Sequence, residues 1–429
     1  MKSPIPDYLA EVLGASAGTG EGAVADYIPE LAKADPDRFG VTISTIDGVL
    51  YSAGDADVEF SIQSISKPFV YALALADRGL DGVLAKVGVE PSGDAFNELS
   101  LEPGTGRPRN PMINAGAIAT HSLAGAPGLD AAERLERVVA GLSAFAGRRL
   151  EVDEQVCASE LETAHRNLAL AHILRSYDIL EEDPTQVVAG YTRQCSLLVS
   201  TRDLAVMAAT LANGGRQPIT GEQIVPPRVA RQVLSVMTTC GMYDAAGDWV
   251  TTVGIPAKSG VAGGLIGALP GQVGVATFSP RLDAHGNSVR GVHLFGRMSD
   301  DMGLHLMDVP APSRSVLRKV RRFDDDGRSA IVFQLQGSLG FTTAEVVLRA
   351  VVEATPVTER VVFDIERLQS VDRVGRVMLL EVVRRLSLDG REVLFLDPDG
   401  VIPDPEPGDG GALRVVRSRE ELRAQRGGA

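Results

Sequence analysis

The chain has 429 residues, 44% of them hydrophobic and 23% charged, a composition ordinary for a globular protein and one that excludes wholesale disorder. At the usual domain size this length suggests two or three domains. The formal charge of −14 sits entirely in the first 310 residues, because residues 311–429 hold 19 basic and 19 acidic side chains; an acidic front portion repels phosphate backbones and the balanced remainder has no basic stripe, so no nucleic-acid partner is expected.

In chain order, helical patterns open at 6–13 and 24–33. Two short strands follow at 39–46 and 49–52, with Asp47-Gly48 between them as a hairpin signal, since glycine takes the positive φ such turns need. Residues 64–77 read as a buried helix ending at Gly79, and 90–111, rich in Gly, Pro and Asn, as a long loop. Helices are expected at 129–146, 157–174 and 201–213. Strands and tight turns are expected through 255–278, with another strand at 289–298. A linker is expected at 309–318, where Asp308-Val309-Pro310-Ala311-Pro312 marks a shift in composition. Beyond it the order is strand (330–335), helix (343–353), strand (360–364), helix (375–386), strand (392–396), then a short strand and a closing helix at 420–425. Val377, Leu379, Leu380, Val383 and Leu386 have helical spacing and mark one buried face. The alternation reads as a small α/β domain spanning 319–429.

No segment approaches the roughly 20 apolar residues of a membrane helix, so no membrane partner is expected. The N-terminus lacks the apolar stretch of a signal peptide. Cys157, Cys195 and Cys240 are widely spaced and odd in number, which fits a cytoplasmic protein with buried free thiols. Neither they nor the six histidines show metal-ligand spacing, so no metal and no cofactor are expected.

Only six lysines stand against 36 arginines, and Lys67 lies in an apolar setting three residues after Ser64. On a helix, i and i+3 share a face. An ammonium there can lose its proton and serve as base for the hydroxyl, and a helix N-terminus favours developing negative charge. A bare Ser-x-x-Lys is by itself a weak signal. Downstream, Lys258-Ser259-Gly260 resembles the Lys-Thr/Ser-Gly element of penicillin-binding proteins and serine β-lactamases. Their middle element is unmatched, because Tyr191-Thr192-Arg193 stands in its place. A β-lactamase or D-alanyl carboxypeptidase is therefore the weaker reading, and an idle amino-acid sensor is opposed by the intact Ser64 and Lys67.

Longer stretches point elsewhere. Gln63-Ser64-Ile65-Ser66-Lys67-Pro68, residues 90–97, Arg109-Asn110-Pro111-Met112-Ile113-Asn114-Ala115-Gly116-Ala117, Val24-Ala25-Asp26-Tyr27-Ile28-Pro29, Gly190-Tyr191-Thr192, Gly241-Met242-Tyr243 and residues 258–264 closely resemble the serine-dependent glutaminase family. The resemblance covers about residues 5–308 and implies an α+β protein whose domain 1–308 has the β-lactamase/transpeptidase-like fold, an antiparallel sheet beside a helical subdomain. It also implies hydrolysis of L-glutamine to L-glutamate and ammonia through a serine acyl-enzyme. Carried over residue by residue, it implies catalytic Ser64, Lys67, Tyr243 and Lys258, and substrate contacts at Tyr27, Ser64, Asn114, Glu160, Asn167, Tyr191, Tyr243 and Val261, the last through its backbone N–H. Glu160 and Asn167, seven apart in a helix-like stretch, project from one face two turns apart, where a carboxylate suits an α-ammonium and amides suit an α-carboxylate. The Gly-rich run 260–267 lacks a phosphate-loop ending and reads as close backbone approach to substrate.

The C-terminal part resembles a STAS domain more loosely, through Val361-Val362-Phe363-Asp364-Ile365 and Val371-Asp372-Arg373-Val374-Gly375. Where regulated members carry Asp-Ser-Ser-Gly, both hydroxyls are absent here. A homo-oligomer is expected, with a protein partner for the STAS-like part.

Overall fold

A computed structural model of the chain describes residues 3–18, 20–93, 98–308, 315–325, 328–354 and 358–424. Two compact units result, Met1–Asp308 and Val309–Ala429, each with its own core.

The first unit opens with α1 (Ile5–Ser16), β1 (Gly40–Thr45) and β2 (Leu50–Gly54). The Asp47-Gly48 signal is a hairpin: Gly48 takes φ +89°, and Gly40 to Ser44 pair antiparallel with Gly54 to Leu50. β3 (Phe60–Ser61) leads through a 3-10 turn at Gln63–Ile65 into α2 (Ser66–Leu84). Helices dominate the middle: α3 (Asn114–Leu123), α4 (Ala131–Ala146), α5 (Glu154–Glu162), α6 (His165–Ser176), α7 (Pro184–Cys195), then β4 (Leu198–Val199), α8 (Thr201–Ala212), α9 (Pro227–Cys240) and α10 (Ala246–Thr252). β5 (Ala257–Ser259), β6 (Gly264–Leu269), β7 (Val273–Phe278) and α11 (Val289–Met302) complete the unit.

Its main sheet runs β2-β1-β7-β6-β5 with every neighbouring pair antiparallel. Successive residues of a strand point to opposite faces, and here both faces are buried. Ile266, Ala268, Ala276 and Phe278 join the large core that includes α2 and α8. Leu265, Leu269 and Val275 join Leu9, Val12, Val41, Ile43, Trp249 and Phe295 on the other side. A separate helical core gathers Ile118 of α3, Leu170 and Leu174 of α6, and Val187, Val188 and Tyr191 of α7.

The second unit is β8 (Leu317–Asp325), β9 (Arg328–Leu339), α12 (Phe341–Ala354), β10 (Arg360–Val371), α13 (Arg373–Leu388), β11 (Glu392–Leu396), β12 (Arg414–Val416) and α14 (Arg419–Ala424). Its sheet runs β12-β11-β10-β9-β8, parallel except for the β8–β9 pair. Asp372 caps α13 by accepting the Gly375 N–H at 2.7 Å, so the acid of the STAS-like motif acts as a helix cap. Leu379, Leu380, Val383 and Leu386 are buried as their spacing implies, but Val377 is 60% exposed, one position off the buried stripe.

Several local expectations are corrected. Residues 289–298 form helix, not strand: Leu294, Phe295, Met298 and Ser299 are buried at a helical period, and Ser288 caps the start by accepting the Gly291 N–H. Their β-branched and aromatic content imitates a strand. Residues 24–33 are not a helix beyond one 3-10 turn at Leu31–Lys33, because Pro29 disfavours helical backbone in the residue before it. The helix expected at 157–174 is two helices, α5 and α6, parted at Thr163-Ala164. The helix at 64–77 begins as a 3-10 turn, and Gly79, at φ +73° and ψ 167°, ends it as expected; a second short helical stretch follows across the kink to Leu84. Helices α3, α7, α9 and α10 and strand β8 carry no expectation from the sequence pattern. Residues 94–97 of the long loop, 309–314 of the expected linker and Gln425 of the closing helix lie outside the described residues. Among the described residues, no helix is long and apolar enough to cross a membrane.

Candidate active site

Ser64 sits in the 3-10 turn that feeds α2, with its side chain almost wholly enclosed. Gln63 before it adopts φ +50° and Tyr243 adopts φ +57°. Residues with a Cβ rarely take this region, and such strain, of order 1–3 kcal/mol each, concentrates at functional sites. The Tyr243 hydroxyl is hydrogen-bonded to Ser64 and donates to the Ser259 carbonyl at 3.1 Å. Burial pushes the Tyr243 phenol up to about 12.

Lys67, in the first turn of α2, is 1% exposed. Its Nζ donates to the Met112 carbonyl at 3.1 Å and to Asn114 Oδ1 at 2.8 Å. Desolvation pulls its pKa down to about 8, so the neutral amine is accessible near neutral pH. The loop before α3 fixes these partners. Asn110 Oδ1 accepts the N–H groups of Met112 and Ile113, and its Nδ2 donates to the Glu90 carbonyl at 2.9 Å. Gly116 lets α3 settle on that loop, since a Cβ there would lie 1.9 Å from the Asn110 carbonyl oxygen. The glycine two residues after Asn114 therefore has a packing reason.

Lys258 is fully buried in edge strand β5. Its Nζ stands 4.0 Å from the Tyr243 ring centroid and donates to the Ser259 carbonyl at 2.7 Å. It thus faces the ring and shares an acceptor with the Tyr243 hydroxyl. Burial, with the nearby Lys67 charge, holds its pKa well below the ordinary lysine range.

Seven of the expected contacts, Tyr27, Ser64, Asn114, Glu160, Asn167, Tyr191 and Val261, line one cavity of about 350 Å³. Tyr243 does not line it and reaches it through Ser64. Asn114 heads α3 and donates through Nδ2 to Asn167 Oδ1 at 3.0 Å. Glu160 and Asn167 share the cavity, though not as two turns of one helix: Glu160 lies in the last turn of α5 and Asn167 in the first turn of α6. Burial raises the Glu160 carboxyl to about 7, and the hydrogen bond from Gln63 Nε2 opposes that rise. Tyr27 is 54% exposed at the rim. Tyr191 is buried in α7. The Val261 N–H has no hydrogen-bond partner among the described residues.

Gln63, Thr163, Arg166 and Cys195 also line the cavity and carry no signal that singles them out in the sequence beyond adjacency to Ser64, Asn167 and the Tyr191 motif. Arg166 pairs with Glu98 at 2.7 Å. Burial pushes the Cys195 thiol up to about 12, which removes it as a rival nucleophile. Among the described residues, no group of three or more His, Cys, Asp or Glu side chains gathers as a metal site would.

Fold and site together define a hydrolase acting on amide bonds. The glutaminase family model matches residues 22–307, and the STAS domain model matches 322–403. A glutaminase of Corynebacterium efficiens is 49% identical across 98% of this chain and 98% of its own length. The crystal structure of Mglu is 52% identical with a TM-score of 0.85, over 94% of this chain and all of that one. A probable glutaminase from Bacillus subtilis, complexed with 6-diazo-5-oxo-L-norleucine, is 35% identical with a TM-score of 0.66, over 72% of this chain and 98% of that one. The chain belongs to the glutaminase family and carries a C-terminal STAS domain.

The raised Glu160 carboxyl has a consequence for stability. A buried acid whose folded pKa lies above its unfolded value adds stability while protonated and loses that contribution as pH rises through the folded value, here about 7. Glu160→Gln should therefore melt like wild type near pH 5 and above it at about pH 8, read from thermal midpoints without ligand. Equal midpoints at the higher pH would show that the carboxylate bears no desolvation cost.

Proposed function

We propose that this chain hydrolyses L-glutamine to L-glutamate and ammonia through an acyl-enzyme on Ser64. The observation that carries the reading is the meeting of Ser64, Glu160, Asn114 and Asn167 in one amino-acid-sized cavity. The Glu160 carboxylate takes the α-ammonium, and its own pKa falls once that cation arrives. The amides of Asn114 and Asn167, with Tyr27 and Tyr191 alongside, orient the α-carboxylate end. The side-chain amide then lies at Ser64. Lys67, partly neutral near pH 8, takes the Ser64 proton as Oγ attacks the amide carbon. The N–H groups of Ser64 and Val261 receive the oxyanion, an interaction whose loss commonly costs about 2.7–4 kcal/mol. Tyr243, which bonds both Ser64 and the Ser259 carbonyl, delivers a proton to the departing ammonia and then activates the deacylating water; Lys258 against its ring keeps the phenol in place. The Bacillus subtilis relative's complex supports the substrate class, because 6-diazo-5-oxo-L-norleucine is an α-amino acid with a reactive carbonyl side chain.

Three buried free cysteines fit a reducing cytoplasm. Assembly into a homo-oligomer, or capture of a protein partner, falls to the STAS domain, where the exposed Val352 and Val377 offer apolar contact. The motif Asp372-Arg373-Val374-Gly375 has no hydroxyl to phosphorylate, which favours constitutive contact.

Ser64→Ala should leave a folded protein whose glutamine-dependent ammonia release falls by roughly 10⁴-fold or more. Release at the wild-type rate would end the acyl-enzyme reading. Glu160→Gln should act chiefly on KM for glutamine, raising it roughly ten- to hundredfold, the worth of a charge-assisted hydrogen bond; an unchanged KM would remove Glu160 from the ammonium site. Truncation after Asp308 should retain ammonia release and change only the mass of the assembly in light scattering. A folded but inactive truncation would mean that the STAS domain completes the active site.

A further inference from the structure

The turn that carries Ser64 is held from behind by a chain of buried side chains. His121, in the last turn of α3, meets Gln194 of α7, with Nδ1 and Oε1 2.9 Å apart. Gln194 Nε2 donates to Ser66 Oγ at 2.9 Å, and Ser66 Oγ donates to the Gln63 carbonyl at 2.8 Å. All three side chains are buried. The donor order closes in one sense. Ser66 spends its proton on Gln63, so it must accept from the Gln194 amide nitrogen; Gln194 then offers its oxygen to His121, whose Nδ1 carries the proton. Burial pulls the His121 imidazole down to about 4, so the ring is neutral at neutral pH, and its Nδ1 would remain a donor even if protonated.

The far end of the chain is Gln63, the residue with φ +50° directly before the nucleophile. Its side chain is committed as well, donating to Ser61 Oγ at 3.1 Å and to Glu160. Release of the Gln63 peptide to ordinary backbone would turn both Ser64 and the amide that contacts Glu160. Glycine at 190 makes room for the chain: a Cβ there would lie 2.5 Å from His121 Nε2. The chain also links the elements that supply the site, since α3 begins with Asn114 and α7 carries Tyr191 and Cys195.

We propose that His121, Gln194 and Ser66 are positioning residues of this enzyme: through hydrogen bonds they pin the Gln63 peptide in its left-handed conformation, which aims Ser64 and keeps the Gln63 amide on Glu160. The proposal rests on Ser64 as nucleophile and Glu160 as ammonium partner. It differs from a core-filling role, which would move stability and leave turnover per folded molecule intact.

The test uses the full chain. Ser66→Ala removes one hydroxyl and should lower kcat about 10- to 100-fold, the range for a misplaced reacting group, with the protein still folded by thermal melting. Covalent modification by 6-diazo-5-oxo-L-norleucine should slow in parallel. Ser66→Thr, which restores a hydroxyl, should recover most of kcat. Gly190→Ala, whose new methyl group presses on His121, should lower kcat in the same direction. A folded Ser66→Ala with unchanged kcat and KM overturns the proposal, and so does a loss that Ser66→Thr leaves in place. If Ser66→Ala does not fold, Gly190→Ala decides, and unchanged turnover there overturns it. Ser64→Ala run alongside separates the two levels: persisting ammonia release would strike the nucleophile itself rather than its positioning.

Discussion

An ammonium placed where water does not reach sets the terms for this active site. Removing a cation from water costs several kcal/mol unless partners or proton loss relieve it. Lys67 does both: two oxygens hold its Nζ, and burial brings its pKa to about 8. Both oxygens belong to the loop and first residue that launch α3, so α3 must sit close against α2, and Asn110 and Gly116 serve that close fit. Lys258 repeats the device on the sheet side, where burial and the nearby Lys67 charge together hold its pKa well below the ordinary lysine range. Two of six lysines in an arginine-rich chain are spent in this way. Arginine could not replace them, because its guanidinium does not give up a proton.

Around the same candidate site other groups oppose folding. Gln63 and Tyr243 hold left-handed backbone, and Glu160 is a carboxyl pushed up to about 7. The cost is tolerated because the surroundings over-determine the geometry: cores pack on both faces of the sheet, and a third lies among α3, α6 and α7. Preorganised polar groups in a water-poor cavity stabilise charge that develops during reaction, and they need no rearrangement at that moment. Strain and desolvation are thus the counterpart of catalytic readiness.

The STAS domain follows different physics. Its strands β9 to β12 are parallel with helices packed against them, and a row of Phe333, Phe363 and Phe395, the first pair stacked and the second edge-to-face, runs across three neighbouring strands. Asp372, the acid that the family resemblance brings to attention, caps a helix here.

Local chemistry was legible in the sequence. The Asp47-Gly48 hairpin, the buried stripe of α13 apart from Val377, and the Ser64–Lys67 pair follow from turn preference, helical period and rarity of residue type, each a property of a few neighbouring positions. The motifs around Tyr27, Asn114, Tyr191, Tyr243 and Lys258 were legible as a family pattern. Elements whose signals conflict locally were not: 289–298 has strand-like residues on a helical burial period, and 157–174 keeps an apolar pattern across a helix break. Only the tertiary structure decided which distant residues share a cavity, from Tyr27 to Val261, and which buried groups lose their ordinary charge. Nothing in the order of residues says that His121, Gln194 and Ser66 touch, or that glycine at 190 exists to let them. Pattern along a chain records which face is buried; desolvation and hydrogen-bond partnership depend on what the rest of the chain brings against that face.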